Sequence, residues 1–241
     1  MARTVRVALE ELREGEHPIT GDAARYLTRV LRLREGARFT AFDPAARIEA
    51  EATLVAVEGE RVVARFARPG PASVVGAGGV TLIQCAGKGD KVDEVVRAAT
   101  ALGAGRIVIA TSERSVARGT ATSERSARLN AIALDAARQS GRGDLPLLDG
   151  PLPLADALSA ATASPALKLC LEPSADLPLG PALAEREARP LVLLVGPEGG
   201  FSDTERDAAR AAGFALVRLG TLVLRTELAA VAVLGAVLAT E

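Results

Sequence analysis

Apolar and polar positions follow two rhythms along this chain. Up to residue 68 the pattern is short and two-fold. In IEAEATLVAV, Ile48, Ala50 and Ala52 alternate with Glu49, Glu51 and Thr53, which predicts a strand over 47–57 with one solvated face. Runs at 5–9, 38–43 and 61–66 read as further strands, and Glu58-Gly59-Glu60 as a hairpin turn. TGDAARYLTRVL reads as a short helix over 20–31, opening at a Thr20 N-cap. Pro69, Gly70, Pro71 and the glycines at 76, 78 and 79 then punctuate the chain as a linker. Beyond it the period changes. Predominantly apolar runs at 80–85, 106–110, 167–171, 191–195 and 215–219 are separated by stretches of helical period at 92–102, 124–139, 204–212 and 227–239. Apolar strands alternating with helices predict an α/β fold with a parallel sheet covered on both faces. The expected organisation is two domains, 1–72 and 73–241.

Composition narrows the function classes. A chain of 241 residues, 49% hydrophobic and 24% charged, can bury a full core, which excludes wholesale disorder. Aromatic residues are 2% of the chain, with no Trp and one Tyr, so a nucleic-acid surface built as an aromatic stacking platform is excluded. Cys85 and Cys170 stand far apart in no C-x-x-C, which argues against a zinc site or a disulfide framework and makes a cytoplasmic location the expectation. With His17 the only histidine, no His-based metal site and no Ser-His-Asp triad is expected. The first residues are charged too early for a signal peptide, and the longest apolar run, 228–239, falls short of the roughly 20 residues of a membrane span. No membrane partner is expected.

In parallel α/β sheets, ligands bind beyond the carboxyl ends of strands. Three strand ends are therefore of interest: CLEP at 170–173, GPEGGF at 196–201 and LGTLVLRTE at 219–227. The second follows LVLLV; its glycines let backbone N–H groups approach a ligand, and Ser202 or Asp203 caps the next helix, with Glu205 in its first turn. It matches neither the dinucleotide-binding glycine fingerprint nor the phosphate-binding loop of NTPases. Spacing alone leaves it equally a structural turn or a ligand loop. Arg225 and Glu227 interrupt a run otherwise apolar from 223 to 239, and charge entering a buried face is costly unless paired. Two readings stay open: a structural ion pair of Arg225 with Glu198 or Glu227, or a ligand contact in a dry pocket.

LLVGPEGGFSDTE followed by LGTLVLRTE resembles the RsmE family, the small-subunit ribosomal RNA (uridine-N3)-methyltransferases of the SPOUT superfamily. The resemblance extends through YLTRVLRLREGA, AGKGDKVDEVVRAATALGAGRIVIATSERS and DAARQSGR, and so covers the whole chain. It implies a SPOUT-type knotted parallel-sheet methyltransferase domain preceded by a small PUA-like β-barrel domain, with active sites formed in a homodimer. It implies S-adenosylmethionine as cofactor, bound by Leu171 and Glu172 at the first strand end and by Leu194, Gly196, Pro197, Glu198, Gly199 and Gly200 at the second. Leu219, Gly220, Leu224, Arg225 and Thr226 complete that set at the third. The implied reaction is methylation of a uridine N3 in 16S ribosomal RNA within the small subunit. Uracil's ring nitrogen is a poor nucleophile while protonated, so a base or a stabilising cation is required. Glu198 or Glu227 is the candidate base, and Arg225 the candidate for stabilising the uracil carbonyl or fixing a carboxylate. The chain departs from the family at Tyr26, where many relatives have His, and at Leu228, which removes a hydroxyl from the start of the last helix. The alternatives are a SPOUT enzyme acting on a ribose hydroxyl or another RNA, and a non-catalytic ribosome-assembly factor.

Charge is unevenly spread for such a partner. The net −1 combines 12 basic against 11 acidic residues over 1–72, 10 against 6 over 84–142, and 7 against 13 over 143–241. Nearly all the positive charge is arginine, which forks onto phosphate and stacks on bases, although a GC-rich genome also produces such a composition. Arg25, Arg29, Arg32, Arg34 and Arg38 fall together against one acid, Glu35, and the first three share a face at helical spacing. These, with Lys88, Lys91, Arg114, Arg138 and Arg142 of the central block, are the expected RNA contacts, and a solvated helix face is the alternative for the first group.

Overall fold

The structure, a computed structural model, describes residues 5–59, 61–87, 91–115, 122–187 and 189–239. Glu60 and Lys88 lie outside the described residues. The chain divides into two units, 1–75 with 134–145, and 76–133 with 146–241.

The first unit is a mixed sheet of β1 (Arg6–Ala8), β2 (Gly15–Ile19), β3 (Arg38–Asp43), β4 (Ile48–Glu58), β5 (Arg61–Phe66) and the two-residue β6 (Gly70–Pro71). The order is β1-β3-β4-β5-β2, with β6 on β4; only β1 and β3 run parallel. The alternation in β4 turns Ala50, Ala52 and Leu54 inward, and each strand of the path adds to one core that includes Val7, Ile19, Phe39, Val62 and Phe66. Gly70 and Pro71, read from the sequence as linker, are paired backbone here. Strand β2, GEHPI, has no apolar alternation to announce it. Its pairing with β5 makes it a strand, at the end of the path where a proline is tolerated.

The helix expected over 20–31 is broken in two. Helix α1 (Gly21–Arg25) passes into a π-helical turn over Tyr26–Val30, closed by the Leu31 N–H donating to the Tyr26 carbonyl at 2.9 Å. Thr20 precedes it without a side-chain cap bond, and Arg32 has a φ of +52°, which ends the helical path. Arg25, Arg29 and Arg32 therefore do not share a regular helical face, because π winding and a left-handed residue change the spacing.

The second unit is an all-parallel sheet of β7 (Ala77–Cys85), β8 (Ala104–Thr111), β9 (Leu147–Pro153), β10 (Leu167–Leu171), β11 (Leu191–Val195) and β12 (Ala215–Val217), in the order β12-β10-β11-β7-β8-β9. Its helices are α2 (Lys91–Ala101), α3 (Ser123–Ser140), α4 (Leu154–Thr162), α5 (Leu179–Ala184), α6 (Asp203–Ala211) and α7 (Thr226–Leu238), α3 extending into the residues grouped with the first unit. The pleat sends Ile83, Cys85, Cys170, Val192 and Leu194 into one cluster with Leu154 and Leu158 of α4 and Ala209 of α6. On the opposite face α2 and α7 pack on each other, and against β7, β8 and β11. All five residues of β11 are buried, as an apolar strand covered on both faces requires. β11 lies beside β7 while β8 lies on β7's other side, so the chain order reverses there, with β10 and β12 continuing beyond β11. Among the described residues, no helix is long and apolar enough to cross a membrane.

Candidate active site

The carboxyl ends of β10, β11 and β12 open into one cleft of about 330 Å³. That lies within the ~300–1,000 Å³ range of small-molecule sites. At the first end, Leu171, Glu172 and Pro173 line it. Glu172 is buried, and its Oε1 accepts from the Ser174 hydroxyl at 2.8 Å and N–H at 3.2 Å, while Oε2 faces Arg206 at 3.6 Å.

The second end is the tight turn GPEGG. The Gly200 N–H donates to the Pro197 carbonyl at 2.9 Å, and Gly200 sits at φ +65°, which favours glycine. At Gly196 a Cβ would come 3.0 Å from the buried Phe201 ring, tight enough that the ring beside the turn would have to shift by a few tenths of an ångström. Ser202 is the cap of α6. Its Oγ accepts from the Glu205 N–H at 3.2 Å, and the Glu205 carboxylate accepts from the Ser202 N–H at 2.9 Å. The other Glu205 oxygen accepts from the Glu113 N–H at 2.8 Å, and the neighbouring Arg114 donates to the Gly199 carbonyl at 2.8 Å. The segment after β8 thus clamps the turn from outside.

The third end runs from Leu219 to Thr226. Thr226 Oγ donates to the Gly196 carbonyl at 2.5 Å and accepts from Gln84 Nε2 at 2.8 Å, tying this loop to the second loop and to β7. Lys91, in the first turn of α2, pairs with Glu198 Oε1 at 2.7 Å and Glu227 Oε2 at 3.4 Å. The hydrogen bond to Glu198, with the nearby Glu227 charge, raises the Lys91 pKa above its ordinary 10.5 and holds it as ammonium. Arg225 is the exposed N-cap of α7 and makes no ion pair among the described residues. The proposed ion pairs of Arg225 with Glu198 or Glu227 do not form, because Lys91 takes both carboxylates.

Of the residues that the resemblance assigns to the cofactor, Leu171, Glu172, Gly196, Pro197, Glu198, Gly200, Leu219, Gly220, Leu224, Arg225 and Thr226 line this cleft. Two of the assigned residues, Leu194 and Gly199, do not line it with their side chains. Strand alternation turns Leu194 into the core and leaves Val195 facing the cleft, and Gly199 faces the Arg114 side chain. Glu227 is not a lining residue; its side chain is 12% exposed beside Lys91. Pro173, Phe201, Thr221, Leu222 and Val223, which stand within the three singled-out strand ends without an assigned contact, line the cleft too, and only Val195 and Ala229 lie outside those segments. Leu228 is exposed and outside the cleft, while the hydroxyl of nearby Thr226 bonds to the Gly196 carbonyl.

The expected RNA contacts separate into two kinds. Arg25, Arg29, Arg32 and Arg34 are exposed, Arg25 paired with Asp22 at 2.7 Å. Arg138 lies with its guanidinium 4.2 Å from the centre of the Tyr26 ring, a cation–π contact within the first unit. Arg142 is a correction: it is buried and paired with Asp144 at 2.6 Å, so it presents nothing to a phosphate. Lys91 and Arg114 spend their charge on the loops of the cleft. Cys85 and Cys170 are buried, unbridged thiols; burial pushes Cys85 up to about 12 and raises Cys170 as well.

A family model for an RNA methyltransferase domain matches residues 77–238, and one for an RNA methyltransferase PUA domain matches 19–67. The ribosomal RNA small subunit methyltransferase E of Mycobacterium bovis is 32% identical over 227 residues, 91% of this chain and 84% of the relative. That of Synechocystis is 31% identical over 232 residues, 93% of this chain and 73% of the relative. The crystal structure of a ribosomal RNA small subunit methyltransferase E from Neisseria gonorrhoeae, bound to S-adenosyl methionine, superposes with a TM-score of 0.88 at 30% identity, covering 98% of each chain. A Legionella pneumophila methyltransferase in complex with the same cofactor gives 0.86 at 27% identity, over 99% of this chain and 98% of that one. With the three-loop cleft at the sheet's carboxyl edge, these likenesses place the chain in the ribosomal RNA small subunit methyltransferase E family, as a PUA-type domain joined to an S-adenosylmethionine-dependent RNA methyltransferase domain.

Proposed function

We propose that this chain transfers a methyl group from S-adenosylmethionine to N3 of a uridine in 16S ribosomal RNA. One observation carries the reading: the GPEGG turn and the LRTE segment, on the loops after two different strands, meet at one cleft with a carboxylate and, among the described residues, an arginine without an ion pair at its edge. The cleft fits the cofactor in size and in donor set, since its two glycine loops expose backbone N–H and carbonyl groups of the kind that read an adenine. The backbone of 196–200 and 219–224 would hold it, and bound there it supplies a methyl already activated by its sulfonium. Glu198, lining the cleft, accepts the N3 proton of uracil. Arg225, exposed and without an ion partner among the described residues, offers its guanidinium to the uracil carbonyl oxygen, where charge develops once the proton leaves. Gln84, Thr226 and Arg114 hold the loops still, so that alignment rather than reorganisation governs the step.

The remaining assignments belong to the same proposal. Residues 1–72 serve as the RNA-binding domain through exposed arginines such as Arg25, Arg29, Arg32 and Arg34, and residues 73–241 form the knotted catalytic domain. The protein works as a cytoplasmic homodimer on the small subunit; the exposed Leu228, Val231 and Leu238 of α7, with Leu222 and Val223 before it, give a dimer an apolar face to cover. Nucleoside mass spectrometry tests the reading directly, on small subunits lacking the modification incubated with protein and cofactor. The expected result is a 3-methyluridine peak that disappears with Arg225→Ala. A different methylated nucleoside would overturn the N3 assignment, and failure to bind cofactor in calorimetry would favour an assembly factor.

A further inference from the structure

Glu198 is held from two sides by one short stretch of chain. Gly87, just beyond β7, stands so close that a Cβ there would lie 2.9 Å from Glu198 Oε1 and 3.1 Å from Oε2. Lys91 reaches Oε1 at 2.7 Å while also facing Glu227 Oε2 at 3.4 Å. The side chains of Lys91, Glu198 and Glu227 are 26%, 30% and 12% exposed, so this is a shielded cluster, in which charge pairs act more strongly than at an open surface. Glu227 Oε2 is buried and accepts no hydrogen bond among the described residues, so its near neighbour is the same ammonium.

We infer that Lys91 and Gly87 are positioning residues for the methyl transfer, Lys91 fixing the Glu198 carboxylate at the edge of the cleft and Gly87 leaving the space that carboxylate fills. The inference rests on the proposed role of Glu198 as the base. Without the ammonium, two neighbouring carboxylates repel, and one either swings away or takes up a proton; both outcomes remove the base from its place. A Cβ at Gly87 displaces the same carboxylate without changing any charge. Its φ lies outside the left-handed region, and the group it would meet is the far end of a flexible side chain, so Gly87→Ala moves the Glu198 carboxylate and leaves the backbone in place.

The experiment measures single-turnover methylation of unmodified small subunits and cofactor affinity by calorimetry, on the full chain, with thermal melts as the folding control. The variants are Lys91→Met, Lys91→Arg, Gly87→Ala, Glu198→Gln and the Lys91→Met/Glu198→Gln pair. Lys91→Met and Gly87→Ala are expected to slow turnover about 100-fold, the penalty of a misplaced catalytic group. Cofactor Kd should stay within about threefold, and Lys91→Arg, which keeps the charge, should recover most of the rate. In the Glu198→Gln background, Lys91→Met should cost no more than about twofold further, because the two act through one group. Multiplying penalties in the double variant would overturn the positioning role while leaving Glu198 as base. A cofactor Kd that weakens in step with turnover would also overturn it. Unchanged turnover in Glu198→Gln would overturn the base assignment and the positioning role together. Gly87→Ala carries the test if Lys91→Met does not fold.

Discussion

Arg29, Arg32 and Arg34 and three cations of the 84–142 block, Lys91, Arg114 and Arg142, look alike in composition and meet different surroundings. Arg29, Arg32 and Arg34 are exposed, whereas Arg142 is buried against Asp144, Arg114 holds the Gly199 carbonyl, and Lys91 holds two carboxylates. Arg6 belongs with the second kind: it pairs with Glu49 at 2.8 Å and lies 5.0 Å from the centre of the Phe42 ring. The difference teaches that positive charge counted along a sequence is not charge available to a phosphate. A cation taken out of water must be paired, so each buried one is already committed to the fold.

The largest expected effect that would break this division is on stability. Arg142→Ala breaks a buried ion pair by removing one partner, which costs about 3–5 kcal/mol, and Asp144→Ala in the same chain should recover part of it. Urea unfolding measures both; an unchanged midpoint for Arg142→Ala would return that residue to the RNA surface. Next is Arg114→Ala, which removes one hydrogen bond worth about 1 kcal/mol and should weaken cofactor binding roughly fivefold by calorimetry. The salt dependence of its RNA binding should not change. Arg34→Ala should do the reverse, with stability within about 0.5 kcal/mol and the slope of log affinity against log salt smaller by about 1.

The smallest effect is a pH dependence in the first unit. Burial pushes the Glu49 carboxyl up, but hydrogen bonds from Ser73 and the Arg6 pair outweigh it, leaving its pKa below the ordinary 4.5. A depressed carboxyl contributes stability that is fully present above 4.5 and is lost as pH falls through its lowered value. Acid titration of the unfolding midpoint should therefore show a fall below 4.5 that flattens in Glu49→Gln.

Much of the fold is legible where the signal is local. LVLLV announces a strand covered on both faces, β4 alternates visibly, and Ser202 to Glu205 forms the capping box that its spacing suggests. Strand β9, LLDGPLP, and the short helix α5, LGPALA, carry glycine and proline that mask their type, and sheet pairing or packing settles them. The helix over 20–31 keeps helical periodicity in sequence yet turns π-helical at Tyr26, a change of winding that its apolar spacing does not announce. At the site, the loops were legible because glycine-rich turns at strand ends are short-range features. The partners of Lys91 and Arg114 were not, since both read as surface cations until the fold is known.

The sequence by itself determined the change from two-fold to helical rhythm, the parallel sheet and the three loops that line the cleft. Each depends on residues within a few positions of one another: side-chain alternation, a cap, or a glycine free to turn. Only the tertiary structure decided which charges pair and which stay open. Gln84 meets Thr226 across 142 positions and Arg114 meets Gly199 across 85, and no local pattern specifies such contacts. Electrostatic and hydrogen-bond partners are chosen by distance in space, which the chain acquires when its core closes.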